Sequence, residues 1–302
     1  MSQKVLVTGG YGMVGKHLQE FATPGFVFLS RNDCDLTNID DTFKVFERHC
    51  PDVVVHLAAK VGGLYDNMKY NYDYYIQNSR MNLNVIEACK KFKVKRLINV
   101  LSTCIFPDNC ELPLQSKDIL KGPPHDSNRG YAYAKRDLFI GSSFLDDSCK
   151  VINLIPTNLY GEYDTFNDTS SHVIPALVYK LVRDKAVTIL GSGNAKRQFL
   201  YAQDFAHIIM NFIGLDIKES FTSVVVSPNV SEEISINDLA VLLQHIYDGS
   251  SFAITECTTD SDGQMSKTTS DTELKRHLPY FEFTSLFTGL SNVLVYYKNT
   301  KS

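Results

Sequence analysis

A short apolar strand that runs directly into a glycine-rich turn constrains the fold of this chain more than any other feature. Lys4–Thr8 has the pattern of a buried strand, and Gly9-Gly10-Tyr11-Gly12-Met13-Val14-Gly15 follows it before a helix that continues through Phe21. Glycines at this spacing allow a tight turn and let a pyrophosphate approach bare backbone at a helix N-terminus. We therefore expect a dinucleotide site formed by Gly9, Gly12, Met13, Val14 and Gly15.

Strand and helix patterns alternate after this turn. Val53–Leu57, Arg96–Leu101 and Val151–Ile155 are continuous apolar strands, and helices are expected from near Asn38 and over about 78–92. Alternation of this kind predicts an α/β fold with a Rossmann-like, doubly wound parallel sheet that is covered on both faces.

The character of the chain changes after residue 155. Residues 156–171 read as loop, further helical patterns occur at 173–183, 203–215, 236–247 and 284–297, and the polar stretch 258–272 reads as a long loop. We assign residues 1–155 to a nucleotide-binding Rossmann domain, with a returning segment near 200–227. Residues 156–199 and 228–302 are assigned to a smaller C-terminal α/β lobe that binds substrate.

The end of the second strand indicates which dinucleotide binds. Phe26–Leu29 is that strand, and Ser30 and Arg31 stand where an NAD enzyme places an acidic residue on the ribose 2′-hydroxyl. A guanidinium pairs with a 2′-phosphate that a carboxylate would repel, so NADP is favoured, although a solvated loop arginine would give the same pattern. Asp35 and Leu36 are candidate adenine contacts.

A further part of the cofactor site is expected where Val53–Leu57 ends, which we count as the fourth strand. Leu57, Ala58 and Ala59 are small or apolar and would let a nicotinamide ribose lie close to the backbone. His56 can be read as a catalytic base or as a packed, buried histidine. The packed interpretation is favoured because apolar residues flank it in the strand.

Ser102, Tyr131 and Lys135 form a candidate ketone-reducing triad. Tyr131 and Lys135 lie four residues apart on a predicted helix, and Ser102 ends the preceding strand. The ammonium is expected to pull the pKa of Tyr131 down from about 10 toward neutrality, so that the phenol can protonate a developing alkoxide. An exposed Tyr–Lys pair is the ordinary alternative, and the glycine turn upstream is what favours the triad. Cys104 is not needed for reduction and indicates a second reaction.

Composition and charge narrow the class of protein. The chain has 302 residues, a net charge of −4 and seven irregularly spaced cysteines. Nucleic acid and anionic membranes are poor candidates as partners. We expect reduced thiols, no metal site, no signal peptide and a cytoplasmic protein.

Several specific motifs resemble one enzyme family over nearly the whole chain. They are Val5–Gly10, His56–Leu64, Leu101-Ser-Thr-Cys-Ile-Phe-Pro107, Gly122-Pro-Pro-His125 with Tyr131 to Lys135, Pro156-Thr-Asn158, Ser171-His-Val-Ile-Pro175, Arg197-Gln-Phe199 and Ser261-Asp-Gly-Gln264. Together they resemble the GDP-L-fucose synthases, which are GDP-4-keto-6-deoxy-D-mannose 3,5-epimerase/4-reductases of the extended short-chain dehydrogenase/reductase family. The Ser-Thr-Cys and Ser-His-Val-x-Pro elements are more specific than the glycine turn.

The resemblance implies a role for each of these residues. It implies that Cys104 is the base and His172 the acid that invert C3 and C5. Tyr131 and Ser102 then serve the C4 oxygen, and NADPH supplies hydride. It places Pro156 and Asn158 at the cofactor, and Asn158, Val173, Leu177, Arg197 and Lys267 near the GDP-sugar. It also implies a homodimer, for which the apolar stripe on the 78–92 helix and the Tyr131 helix could supply a four-helix interface. A wholly intramolecular packing of this stripe agrees with the sequence equally well.

Two departures and two alternatives remain. Asn158-Leu-Tyr-Gly-Glu162-Tyr163-Asp164-Thr165-Phe166 replaces the family's Asn-x-x-Gly-Pro-His-Asp-Asn-Phe, and Tyr11 stands where some members carry a basic residue. An NAD-dependent nucleotide-sugar 4-epimerase or 4,6-dehydratase is the main alternative, although it would not need Cys104 with His172. A cofactor-binding regulator without activity is the other.

Overall fold

The computed structural model describes residues 3–167, 171–247, 254–257 (backbone only) and 263–301. The helices are α1 (Met13–Glu20), α2 (Ile39–His49), α3 (Leu64–Lys69), α4 (Asn71–Lys91), α5 (Arg129–Ser142), α6 (Val173–Asp184), α7 (Ala202–Gly214), α8 (Ile236–Tyr247), α9 (Thr272–His277) and α10 (Leu286–Lys301). The strands are β1 (Val5–Thr8), β2 (Phe26–Leu29), β3 (Val53–His56), β4 (Arg96–Val100), β5 (Lys150–Pro156), β6 (Asn158–Tyr160), β7 (Val187–Leu190), β8 (Lys196–Arg197), β9 (Phe199–Tyr201), β10 (Phe221–Val226), β11 (Ile234–Ser235) and β12 (Ile254–Cys257).

Six parallel strands form the central sheet in the order β10-β5-β4-β3-β1-β2. Because all strands run in the same direction, their carboxyl ends meet at one edge, where α/β sheets bind ligands. The predicted α/β Rossmann-like sheet is confirmed. Three two-strand pairings, β11-β8, β12-β7 and β6-β9, lie outside it.

Alternation along the strands builds a core on each face of the sheet. Val5, Val7 and Val55 point to one face and pack with residues of α1 and α7, whereas Leu6 and Val54 point to the other and pack with α2 and α4. Burial on both faces explains why these strands read as continuous apolar runs. A separate core joins α6, α8 and α10 with β7.

The strand count differs from the sequence expectation. The strand that ends at His56 is the third along the chain, not the fourth. After Leu29 the chain enters turns in which Asp33 accepts a hydrogen bond from the Ser30 N–H at 2.8 Å and Asp35 accepts one from the Thr37 N–H at 3.0 Å. These side chains bond to nearby backbone in place of a strand ladder.

The helix expected over 78–92 begins earlier, at Asn71, and the short helix α3 precedes it. The first turns of α4 contain tyrosines and polar residues, among which Tyr74 and Asn78 are buried. They therefore lack the apolar period by which a helix is recognised in a sequence.

The remaining predicted helices and strands are confirmed, with ends that shift by a few residues. Residues 263–271 are loop, as expected, but 258–262 of the predicted long loop lie outside the described residues. The 156–171 loop contains β6, which pairs with β9. The domain boundaries at 155, 199 and 228 stay a prediction. Within the described segments, no helix is long and apolar enough to cross a membrane.

Candidate active site

The turn between β1 and α1 is shaped by glycines in two different ways. Gly9 has φ +65°, and a Cβ on it would lie 2.7 Å from the Ala58 nitrogen, so the end of β3 closes directly on this turn. At Gly12, the N-cap of α1, the nearest described atom that a Cβ would meet is the Gly9 oxygen at 3.4 Å. A side chain at position 9 would therefore clash with the end of β3, so glycine is required there. At position 12 a side chain would meet little protein, so the absence of one keeps the N-terminus of α1 open to a ligand. This cradle, which Lys16 flanks in the first turn of α1, fits a pyrophosphate.

At the end of β2, the residues expected to select the cofactor are held in a compact turn. Asp33 Oδ2 accepts hydrogen bonds from the Ser30 N–H at 2.8 Å and the Ser30 hydroxyl at 2.5 Å, and these bonds lower the pKa of Asp33. Arg31 beside them is exposed. The Asp33 carboxylate is thus engaged by Ser30, while the Arg31 guanidinium is accessible.

The two residues proposed for adenine contact differ in accessibility. Asp35 is partly buried and accepts hydrogen bonds from the Thr37 N–H at 3.0 Å and hydroxyl at 2.8 Å. The Leu36 side chain is buried in the core between the sheet and α2, and its carbonyl accepts a hydrogen bond from the Asn84 amide at 2.8 Å. Only Asp35 presents its side chain at the surface.

His56 is a structural residue, as the packed interpretation predicted. It is fully buried, with Nδ1 2.8 Å from the Thr8 hydroxyl and Nε2 3.0 Å from Asn82 Oδ1. Burial lowers its pKa to about 3, so the ring is neutral. Thr8 Oγ1 also accepts the Ala58 N–H at 3.3 Å, and in this way the His56 network fixes the Leu57–Ala59 segment beside the glycine turn.

Ser102 and Cys104 lie together where β4 ends. Ser102 has extended backbone and caps the turn Thr103–Ile105, because its hydroxyl accepts the Cys104 N–H at 3.4 Å. This tight turn, which packs under α5, places a hydroxyl and a buried thiol at the same strand end.

Lys135 brings the Tyr131 helix to that strand end. Its side chain is 2% exposed, and Nζ donates a hydrogen bond to the Val100 carbonyl at 2.7 Å while lying 5.8 Å from the centre of the Tyr131 ring. Burial lowers the pKa of Lys135 to about 8.

The expected fall in the pKa of Tyr131 is wrong in direction. Burial raises the pKa of the phenol, and the charges of Cys104 and Tyr74 act the same way. Lys135 does not reverse this, because its ammonium is desolvated and bonded to a backbone carbonyl. Tyr131 is accordingly a neutral phenol, which suits a proton donor.

The electrostatics of Cys104 set burial against two lysines. Burial raises the pKa of the Cys104 thiol, whereas Lys267, Ser102 and Lys135 act to lower it. Burial likewise lowers the pKa of Lys267 to about 8, with Cys104 and Asp108 acting in the opposite direction to Arg197. Lys267 was expected near a diphosphate; the structure places its charge where it acts on the thiol.

His172 lies at the N-cap of α6, and its side chain is 46% exposed. Its Nδ1 is 3.9 Å from Asp164 Oδ2. Burial lowers the pKa of His172, but the Asp164 carboxylate outweighs this and leaves the pKa raised. The protonated form, which an acid needs, is therefore favoured.

The remaining predicted residues lie around the junction of β5, β6 and β8. Pro156 is buried at the end of β5, and the Asn158 amide donates to the Gln198 carbonyl at 3.0 Å. Arg197 donates to the Lys196 carbonyl at 2.7 Å. Val173 is partly buried, whereas Leu177 is buried in the core of α6, α8 and α10. Leu177 therefore serves packing through its side chain.

A cavity of about 310 Å³ lies beyond the Cys104 turn. It is lined by Asp108, Cys110, Leu112, His125, Gly263, Gln264, Met265 and Ser266. His125 and Gln264 belong to motifs that the sequence analysis singled out, and the Gln264 amide donates to the Asp108 carbonyl at 3.3 Å. The size suits part of a small-molecule ligand. Within the described residues no cluster of His, Cys, Asp and Glu could hold a metal ion.

Residues 5–219 match the model of the NAD dependent epimerase/dehydratase family. The chain belongs to this family. It is 38% identical to a GDP-L-fucose synthase of Dictyostelium discoideum over 93% of this chain and 91% of that protein, and 35% identical to a probable GDP-L-fucose synthase of Drosophila melanogaster over 98% and 97%.

Solved structures agree with this family assignment. A GDP-L-fucose synthetase from Naegleria fowleri bound to NADP is 33% identical and superposes with a TM-score of 0.89 over 99% of this chain and 93% of that one. A UDP-glucose 4-epimerase from Thermotoga maritima superposes at 0.82 but is only 19% identical, and so shares the fold alone.

Sequence reasoning missed two contacts around these residues. Asp33 lies three residues beyond Ser30, and an Asx-type turn was a usable signal. Asp164 keeps the Asp of the family pattern inside a segment that otherwise departs from it, and no short motif links it to His172. Its proximity depends on how the intervening loop closes.

Proposed function

We propose that this chain converts GDP-4-keto-6-deoxy-D-mannose to GDP-L-fucose, by epimerisation at C3 and C5 followed by NADPH-dependent reduction of the C4 ketone. The observation that carries the proposal is a buried thiol beside the ketone-reducing triad: Cys104 shares one tight turn with Ser102. A 4-epimerase of this fold needs no base beside the triad, and neither it nor a 4,6-dehydratase needs Cys104 together with His172. Its relatives' names agree with the proposal.

Epimerisation uses the acidity that the ketone gives to the neighbouring C–H bonds. The Cys104 thiolate takes the proton from C3 or C5, the C–H electron pair moves into the C4 carbonyl, and Ser102 and Tyr131 hydrogen-bond the resulting enolate oxygen. His172 donates a proton to the opposite face of the carbon, and the pair collapses back into the new C–H bond. Solvent then reprotonates His172 and deprotonates Cys104 for the next inversion.

Reduction reuses the same oxygen site. NADPH, when bound, supplies the hydride that adds to C4. Tyr131 donates its phenolic proton to the C4 oxygen, and the neutral phenol that burial favours carries this proton. Lys135 lies beneath the Tyr131 ring and stabilises the phenolate that remains until solvent restores the proton.

Both ligands are proposed to lie along the carboxyl edge of the sheet. Gly9, Gly12, Met13, Val14 and Gly15 hold the pyrophosphate, Ser30 and Arg31 the 2′-phosphate, Asp35 and Leu36 the adenine side, and Leu57, Ala58, Ala59, Pro156 and Asn158 the nicotinamide side. Asn158, Val173, Leu177, Arg197 and Lys267 are assigned to the GDP-sugar, where two cations suit a diphosphate. For Leu177 this contact is through the α6 backbone, since its side chain is buried.

A homodimer is supported by an apolar surface on α4 and α5. Leu83 is 53% exposed, Phe144 is 77% exposed, and Ile140 and Tyr133 on α5 follow the same face. The Ser79 hydroxyl donates to Asp137 at 2.8 Å and joins the two helices at its centre. The stripe that includes Val85 and Cys89 packs internally, so it is the other face of α4 that is available.

This interface is tested by the mass of the protein in solution. Light scattering after size exclusion should give twice the chain mass for the unaltered protein and a smaller mass for Phe144→Glu. A monomer at micromolar concentration would contradict the proposal.

The cysteines support a reducing, cytoplasmic location, because they are free thiols in the structure. These are Cys34, Cys50, Cys89, Cys104, Cys110 and Cys149.

The function is tested by product identification. The protein is incubated with NADPH and GDP-4-keto-6-deoxy-D-mannose, and the product is analysed by NMR. GDP-L-fucose is expected. A reduced sugar that retains its configuration at C3 and C5 would contradict the epimerase half and leave a simple reductase, and no NADPH oxidation would contradict the proposal altogether.

A further inference from the structure

The carboxylate of Asp164 is arranged unusually for a partly surface loop. Its side chain is 11% exposed, and Oδ1 accepts the N–H of Thr165 at 2.7 Å. Oδ2 is buried, has no hydrogen-bond partner among the described residues, and lies 3.9 Å from His172 Nδ1. A buried carboxylate oxygen without a partner is costly, so its orientation toward an imidazole needs an explanation.

The loop between the two residues is closed by hydrogen bonds that bring them together. The Ser171 hydroxyl accepts the Asn167 N–H at 2.8 Å and donates to the Thr165 carbonyl at 2.5 Å. Ser171 directly precedes His172, and Thr165 directly follows Asp164. The Ser171 side chain thus ties the segment that carries Asp164 to the residue before His172.

The segment that carries Asp164 is anchored on its other side by Glu162. The Tyr201 hydroxyl donates to Glu162 at 2.7 Å, and His17 Nε2 of α1 lies 3.3 Å from Glu162 Oε2. Glu162 and Asp164 are two residues apart and face different histidines. Tyr201 and His17 hold the segment through Glu162, whereas Asp164 faces His172.

We propose that Asp164 is a positioning residue that orients the His172 ring and keeps it protonated for delivery of a proton to the sugar carbons. When the His172 Nδ1–H points to the Asp164 carboxylate, the Nε2–H points away from it. The Nε2–H can then donate its proton to the sugar carbon. The 3.9 Å separation closes to a hydrogen bond with a small rotation of either side chain, as catalytic contacts do when substrate binds. This role rests on the proposed function of His172 as the acid.

The electrostatics of the pair agree with this geometry. Asp164 is the charged group of the described chain that acts on His172, and it raises the pKa of the ring against the effect of burial. An acid must be protonated to work, so the step that uses His172 slows as pH rises through this pKa. Removal of the carboxylate moves that loss to lower pH.

The test compares Asp164→Asn with Asp164→Glu and with Asp184→Asn. The titration of His172 is followed by NMR in the free protein, and inversion at C3 and C5 is measured against pH with the 4-keto substrate and no NADPH. In Asp164→Asn we expect the His172 midpoint to fall, the alkaline loss of inversion to move with it, and inversion at pH 8 to drop by about tenfold or more. Asp164→Glu should restore part of both, and Asp184→Asn, which removes an exposed carboxylate from the far end of the same helix, should leave the His172 midpoint unchanged.

The outcomes separate this inference from the proposed function. An unchanged His172 midpoint in Asp164→Asn, or an equal fall in Asp184→Asn, would overturn the role of Asp164 even if inversion were normal in the unaltered protein. Absence of inversion in the unaltered protein would instead overturn the proposed function, while the NMR titration would still decide whether Asp164 acts on His172.

Discussion

Burial and charge act in opposite ways at two places in the site. One is the end of β4, where Cys104, Tyr131 and Lys135 lie, and the other is the N-terminus of α6, where His172 lies. At the end of β4, burial raises the pKa of Cys104 and Tyr131 and lowers that of Lys135, so every group is pushed toward its neutral form. At His172, which is 46% exposed, the Asp164 carboxylate outweighs burial and favours the charged form. The comparison teaches that a neutral proton donor and a cationic one can serve one substrate when they lie in different environments.

The largest effect is expected when the Cys104 thiol is replaced by a hydroxyl. Cys104 belongs to the neutral cluster, which comprises the Cys104, Tyr131 and Lys135 side chains at the end of β4. Cys104→Ser should lower deuterium exchange at C3 and C5 in D2O by about a thousandfold, because a hydroxyl is a far weaker base at pH 7. Slow reduction of the un-inverted ketone should remain. Cys50→Ser, on an exposed cysteine, serves as the control. Normal exchange in Cys104→Ser would show that the base lies elsewhere.

Removal of the neutral phenol should separate reduction from cofactor binding. Tyr131→Phe keeps the ring and deletes the donor, so NADPH should bind normally while hydride transfer falls by about a hundredfold. Single-turnover absorbance at the NADPH band measures the step. Tyr133→Phe, on the exposed face of the same helix, should have no effect. Unchanged reduction in Tyr131→Phe would exclude Tyr131 as the acid.

Substitution of Arg31 tests a charged group that lies neither at the end of β4 nor beside His172. Arg31→Ala removes a charge-assisted pair of hydrogen bonds to the 2′-phosphate and should weaken NADPH binding by about 1.5–3 kcal/mol, or roughly ten- to a hundredfold. NADH binding should hardly change. Arg276→Ala, also exposed, is the matched control in the fluorescence titration. Equal affinity of the unaltered protein for NADPH and NADH would refute the preference.

Substitution of Lys267 tests whether its positive charge lowers the pKa of Cys104. Lys267 lowers the pKa of Cys104, so Lys267→Met should raise it and move the rise of exchange with pH to higher pH. Exchange at pH 7 should fall by about tenfold and recover in part in alkaline buffer. Lys196→Met, exposed on β8, controls for a general loss of positive charge. A uniform loss at every pH would assign Lys267 to substrate binding alone.

Local spacing predicted what depends on neighbouring residues in the chain. The glycine turn, β2 with Ser30 and Arg31, and the Tyr131–Lys135 pair are each written within a few residues, and the structure forms these elements where expected. The packed state of His56 followed from its apolar neighbours in the strand. Such features need only periodicity and turn chemistry.

Tertiary packing decided the rest. The pKa of Tyr131 moved the opposite way because its burial and the bond of Lys135 to Val100 are not visible in a spacing of four residues. The action of Lys267 on Cys104 and the approach of Asp164 to His172 both depend on loops that return from distant positions. Charge effects of this kind cannot be read before the fold is known.

The most direct test of the account is deuterium uptake by the 4-keto substrate in D2O with the unaltered protein and no reduced cofactor. Deuterium is expected at both C3 and C5, because Cys104 and His172 exchange protons with solvent at each inversion and need no hydride. The product should then trap both labels once NADPH is added. Absence of deuterium at both carbons before NADPH is added would contradict the claim that this site carries two reactions.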